Sequence, residues 1–168
     1  MIKNNISIIT QENLMFDRTI RENIELGESF THDQLMEAID HSQLSSLIAN
    51  KDNGYDFAVG NKGRYLSGGQ KQRINIARVC IRDPSIVICD EGSSALDVHN
   101  EKLIMDNILN IFKDKTILFI THKLSFTLGW DMVIVMDKGH LVEAGNPQQL
   151  LMDKGMYWAM MEEYQKNS

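Results

Sequence analysis

The chain has 168 residues, 43% of them hydrophobic and 24% charged, which is the balance of an ordinary folded domain with room for one core. With 17 basic against 23 acidic residues the formal charge is −6, which argues against the basic face that nucleic-acid binding needs. No apolar run approaches the ~20 residues of a membrane helix. Cys80 and Cys89 have no CxxC spacing and read as two buried, reduced thiols.

In chain order, Met1 to Asn5 leads into a short apolar run, Ile6 to Ile9, which reads as a strand rather than a signal-peptide core. From about Asp17 to Tyr65 there are helix-like pieces, Asp33 to Asp40 and Gln43 to Ala49, and no convincing strand. A mostly helical insert therefore separates the first strand from the rest of the sheet. Leu66 to Gln70 opens a helix with Ile74, Ala77 and Ile81 at i, i+3 and i+7. Ile86 to Cys89 is a second strand, Ile104, Ile108 and Ile111 mark a helix, and Ile117 to Ile120 is a third strand. Val133 to Met136 is a fourth strand, joined through a tight turn at Asp137-Lys138-Gly139-His140 to a last one, Leu141-Val142. The three strands after the first lack polar alternation, which predicts an α/β sheet covered on both faces. Tyr157, Met160, Met161 and Tyr164 form a final helical stripe, read as a core face.

Two segments carry chemistry. Ser67-Gly68-Gly69-Gln70 has the pattern of a capping box, with Ser67 as N-cap and Gln70 reaching back to it. The same geometry suits a phosphate: free backbone N–H groups, the positive end of a helix and two glycines without side chains. The second segment, Ser85 to Glu91, is an apolar strand ending in two carboxylates, at the end of a strand where α/β proteins place ligands. There Asp90 could hold Mg²⁺, directly or through water, and Glu91 could polarise a water for attack on a phosphate.

In order and spacing, Leu66 to Gln70, then Asp90-Glu91, then Ser94-Ala95-Leu96-Asp97, then Ile120-Thr121-His122 resemble the ATPase domains of ABC transporters. Gln11 to Phe16 and Thr19 to Ile24 are similar to the Q-loop and early helical subdomain of the exporters, and Lys123-Leu124-Ser125 and Glu143-Ala144-Gly145 share that character. The resemblance covers essentially the whole chain. It implies a partial P-loop-NTPase core sheet with an all-helical subdomain inserted after the first strand: about 17–80 for the helical part with its signature, and 1–16 and 81–168 for the remaining core.

The resemblance also implies roles. Two such domains sandwich two ATP molecules, each between one domain's P-loop and the other's signature. Ser67, Gly68 and Gly69, with Gln70 completing the signature, would meet a γ-phosphate bound by the partner domain. Glu91 would be the general base or water-polariser, a role worth about 10²–10⁴ in rate. Asp90 and Gln11 would serve the Mg²⁺ site, His122 would contact the γ-phosphate and support the attacking water, and Asp97 would belong to the D-loop between the two sites. The implied partners are a second ATPase domain and the transmembrane domain of an exporter, with no nucleic acid. The implied location is the cytoplasmic side of a membrane, the 168 residues themselves being soluble.

Three departures stand out. Val59-Gly60-Asn61-Lys62-Gly63 has Asn61 where exporters usually carry a glutamate, and Gly92-Ser93 replaces the usual Ala-Thr. No G-x-x-x-x-G-K-S/T occurs anywhere, and no aromatic residue precedes the first strand to stack on adenine. The expectation is therefore the C-terminal part of an exporter ATPase domain, active within a full-length parent and not as the isolated chain. A truncated module offering its signature in trans, and a non-transport ABC ATPase such as a DNA-repair type, are the alternatives.

Overall fold

The computed structural model describes residues 5–10, 12–90 and 98–167, with 98–104 and 167 as backbone only. It divides into two compact units, Met1–Ile120 and Thr121–Ser168.

The first unit begins with strand β1 (Ile6–Ile9) and continues through helices α1 (Ile20–Glu25), α2 (His32–His41), α3 (Ser45–Ala49) and α4 (Gly68–Cys80). Strand β2 (Ile86–Asp90), helix α5 (Val98–Ile111) and strand β3 (Thr116–Ile120) complete it. Between β1 and β2 the described backbone contains only an isolated bridge, Thr19 to Ala58, so the insert is helical as expected. Side-chain caps explain where its helices start. Thr19 with Glu22, Thr31 with Gln34 and Ser67 with Gln70 each form a reciprocal capping box, satisfying two backbone donors at each helix start.

Strands β1, β2 and β3 form a parallel sheet in that order, with Ile9, Cys89 and Phe119 in register and Asp90 beside Ile120. Helix α4 is apolar on two sides. Ile74, Ala77 and Ile81 pack into the helical insert with Ile20, Ile24, Leu35 and Leu44. Ile76 and Val79 pack onto the sheet with Ile9, Val87 and Ile108.

Among the described residues the sheet is covered on this one face only, where the apolar runs read as covered on both. Ile8, Leu118 and Ile120 point the other way and are 52%, 45% and 49% exposed. Ile104 lies outside the residues whose side chains are described.

In the second unit β4 (Val133–Asp137) and β5 (His140–Gly145) form an antiparallel hairpin, followed by α6 (Pro147–Asp153) and α7 (Met156–Asn167). The turn residues Lys138 and Gly139 both have positive φ, 48° and 80°, the backbone that a two-residue hairpin turn requires. Among the described residues one face of β4 is covered: Val133 and Val135 are buried with Leu150, Tyr157 and Met161, whereas Ile134 and Met136 are exposed. The stripe on α7 is likewise half core, since Met160 and Tyr164 are exposed.

Candidate functional site

The chain reaches α4 through a tight turn. Gly63 N–H donates to Gly60 O at 2.8 Å, and Leu66 N–H to Gly63 O at 3.0 Å. Lys71, in the first turn of α4, donates from Nζ to Lys62 O at 2.9 Å and ties the helix start to that turn. Ser67 is the N-cap, with φ −71° and ψ 164°. Its Oγ accepts from Gln70 N–H at 3.3 Å, and Gln70 Oε1 accepts from Ser67 N–H at 2.9 Å. Gln70 thus commits its Oε1 to the cap. A serine oxygen that accepts one bond still has its own O–H to donate.

Gly68 and Gly69 supply the first two helical amides, which have no acceptor within the helix. A Cβ built on either would meet nothing within 4 Å. The positive end of a 13-residue helix therefore opens onto clear space beside a serine hydroxyl, which is what an anionic oxygen needs to approach closely. Capping and anion binding coexist here, because the box uses Gln70 N–H and Ser67 N–H and leaves the glycine amides.

Asp90 ends β2 with an exposed side chain. Because β1, β2 and β3 are in register, the chain passes from their carboxyl ends into Thr10, Glu91 and Thr121 respectively. Gln11, Glu91 and Asp97 lie outside the described residues. His122 belongs to the second unit and its side chain is exposed. A turn brackets it, in which Thr121 Oγ1 accepts from Lys123 N–H at 3.0 Å. Among the described residues no group of three or more His, Cys, Asp or Glu could enclose a metal. Asp90 alone fits the modest demand of a Mg²⁺ that is held mostly by phosphates and water.

A third feature carries no motif. Helix α4 carries a buried polar stripe, Gln72, Asn75 and Arg78, of which Asn75 and Arg78 meet the chain that follows β1. Asn75 Nδ2 donates to Thr10 O and Asn13 Oδ1, both at 3.4 Å. Arg78 Nε donates to Asn23 O at 2.6 Å and Nη2 to Asn23 Oδ1 at 3.1 Å. Asn23, fully buried, donates from Nδ2 to Phe16 O and Thr19 O and accepts Phe16 N–H at 2.9 Å. Burial, then the charge of Arg82, pulls the Arg78 guanidinium down to about 10, which leaves it cationic at neutral pH. Its stabilising partners are carbonyl oxygens at the end of α1, where a cation is favoured. Sequence reading missed this stripe; its signal was polar residues at i and i+3 on a helix apolar on its other sides. The two thiols are not reactive candidates, since burial pushes both Cys80 and Cys89 up to about 12.

A parallel sheet backed by helices, with a carboxylate at a strand's carboxyl end and a glycine-fronted helix start, defines an α/β nucleotide-binding domain of the P-loop-NTPase type, present in part. The ABC transporter family profile matches residues 1–94, and the chain belongs to that family. It is 39% identical over 157 residues to a protein of Staphylococcus aureus strain NCTC 8325 named as a multidrug export ATP-binding/permease protein, and 38% identical to its counterpart in the bovine strain RF122. Each match covers 93% of this chain and 27% of the relative, so the chain spans about a quarter of those proteins. Among solved structures, a bacterial Atm1-family ABC exporter with ATP bound matches with a TM-score of 0.83 at 32% identity, covering 96% of this chain and 28% of that one.

Proposed function

We propose that this chain is the signature-bearing part of an exporter's ATPase domain, which hydrolyses ATP to drive transport when joined to a transmembrane domain and paired with a second ATPase domain. The observation that carries the reading is the open N-terminus of α4. Two glycine amides and the Ser67 hydroxyl face clear space on a rigid helix, in a chain whose family and exporter relatives are established by the matches above.

In this reading the Gly68 and Gly69 amides and the Ser67 O–H donate to γ-phosphate oxygens of a nucleotide held by the partner domain, and Gln70 keeps Ser67 in place through the cap. Bound Mg²⁺ would neutralise phosphate charge. Asp90 would hold it directly or through water, with Gln11 on the same site. Glu91, next to Asp90, takes the proton of the attacking water, His122 orients that water against the γ-phosphate, and Asp97 lies between the two sites. No residue of the 168 forms a phosphate cradle of the G-x-x-x-x-G-K-S/T kind; each site needs that element from elsewhere. No described helix is long and apolar enough to cross a membrane, and the proposed place of this part is the cytoplasmic side of one.

The test is Glu91→Gln in the full-length protein, which keeps the shape of the side chain and removes its basicity. Steady-state turnover is expected to fall by about 10² or more, with ATP affinity within a few-fold of the original. Unchanged turnover would remove Glu91 from the chemistry and the reading with it.

A further inference from the structure

We propose that Asn75 and Arg78, the latter acting through Asn23, are positioning residues that fasten the loop bearing Gln11 to the signature helix. Helix α4 thereby joins the nucleotide met at its own N-terminus to the nucleotide served by Gln11. The inference rests on the functional reading above and adds a link between its two sites.

Helix α4 is packed on two sides. Ile74, Ala77 and Ile81 lock it to the helical insert, and Ile76 and Val79 lock it to the sheet. Asn75 lies seven residues beyond Gly68, about 10 Å along the helix at 1.5 Å per residue. A displacement at the signature therefore arrives at Asn75 undiminished.

The polar stripe grips the far side of the link at three points. Thr10 O and Asn13 Oδ1, on either side of Gln11 in the chain, are held by Asn75. Phe16 is held through both its N–H and its C=O by Asn23, which is itself held by Arg78. All the hydrogen-bonding capacity of the Asn23 amide is used: two donors to Phe16 O and Thr19 O, and two acceptor directions filled by Phe16 N–H and Arg78 Nη2.

Packing alone does not account for this choice of residues. Apolar side chains would fill the same volume without the desolvation cost of an amide and a guanidinium, and no carboxylate contributes to the Arg78 shift. What hydrogen bonds add over apolar contact is direction, and here they hold Thr10, Asn13 and Phe16 to α4 and its partner Asn23.

The experiment uses the full-length protein with Asn75→Ala and Arg78→Lys, each scored for turnover at saturating ATP, ATP affinity, melting temperature and hydrogen exchange at the Phe16 amide. Asn75→Ala is expected to lower turnover about three- to tenfold with affinity within about twofold, the pattern of an interaction felt in the transition state. Arg78→Lys, which keeps the charge and loses the fork, is expected to do the same and to speed exchange of the Phe16 amide. A merely structural stripe would lower the melting temperature and the yield of folded protein, leaving turnover per folded molecule intact; that result overturns the proposal. If Arg78→Lys does not fold, Asn75→Ala decides alone, because its bonds lie at the edge of the network. Glu91→Gln in the same assay separates the two levels. If it abolishes turnover while Asn75→Ala has no effect, the link is wrong and the functional reading stands. If Glu91→Gln has no effect, the reading beneath both has failed.

Discussion

Glu143 illustrates how single residues hold this chain together. Its carboxylate oxygens accept the first two amides of α7, Met156 N–H at 2.5 Å and Tyr157 N–H at 2.9 Å. A Cβ on Gly155 would run into Glu143 Oε1, so only glycine leaves room for the contact. The anion binds β5 to α7 and complements the positive helix end, while the fully buried Tyr157 shares a 2.7 Å hydrogen bond with Thr127 Oγ1 beneath it. Glu143→Ala is expected to destabilise the fold by about 1–2 kcal/mol, the range for a lost helix cap, read as a fall of several degrees in a thermal melt. An unchanged melt would show that the cap contributes nothing. Ser67 begins α4 with related chemistry and the opposite outcome. There the cap is neutral and local, and the positive end of the helix stays open to an anion from outside the chain.

At the scale of elements, what could be read in the sequence was what local chemistry fixes. The strands β1 to β4 fall within a residue of their apolar runs, and the signature helix starts at Ser67 because a capping box has a sequence pattern. The same S/T-x-x-E/Q pattern at Thr19 and Thr31 would have placed the starts of α1 and α2 as sharply. What was not legible depended on neighbours. An apolar run such as Thr116–Ile120 reads as covered on both faces, yet periodicity within a strand carries no information about what packs on it, and Leu118 and Ile120 are exposed. On α7 the rows 157/161 and 160/164 look alike in sequence, yet Tyr157 and Met161 join the buried cluster of Val133 and Val135 while Met160 and Tyr164 are exposed. Asn75 and Arg78 read as polar helix positions, because their value lies in partners 55 to 65 residues away. Of the candidate site, Ser67 to Gln70, Asp90 and His122 have described places, and Gln11, Glu91 and Asp97 do not.

For the whole molecule the uncovered sheet face has a consequence in solution. Ile8, Leu118 and Ile120 stand exposed on one face, and each such side chain gains about 1.5–3 kcal/mol when fully buried. Strands β1 and β3 each have one neighbour in the described sheet, leaving edges open to pairing. The 168-residue chain by itself is therefore expected to self-associate with rising concentration, as light scattering over a dilution series would detect. A monomer at high concentration, with an ordinary cooperative melt, would show that the chain satisfies this face alone.

The most direct measurement of the central claim, that the start of α4 meets a phosphate held by another domain, is Gly68→Asp in the full-length protein. The position is sterically empty, and a carboxylate in the first turn favours the helix, so the melting temperature is expected to stay level or rise. The same carboxylate repels an incoming phosphate. ATP turnover should fall by about 10² or more, the scale seen when a stabilising donor site is disabled, while ATP affinity changes by about threefold or less. Turnover equal to that of the unaltered protein, with the aspartate in place and the fold intact, would contradict the claim.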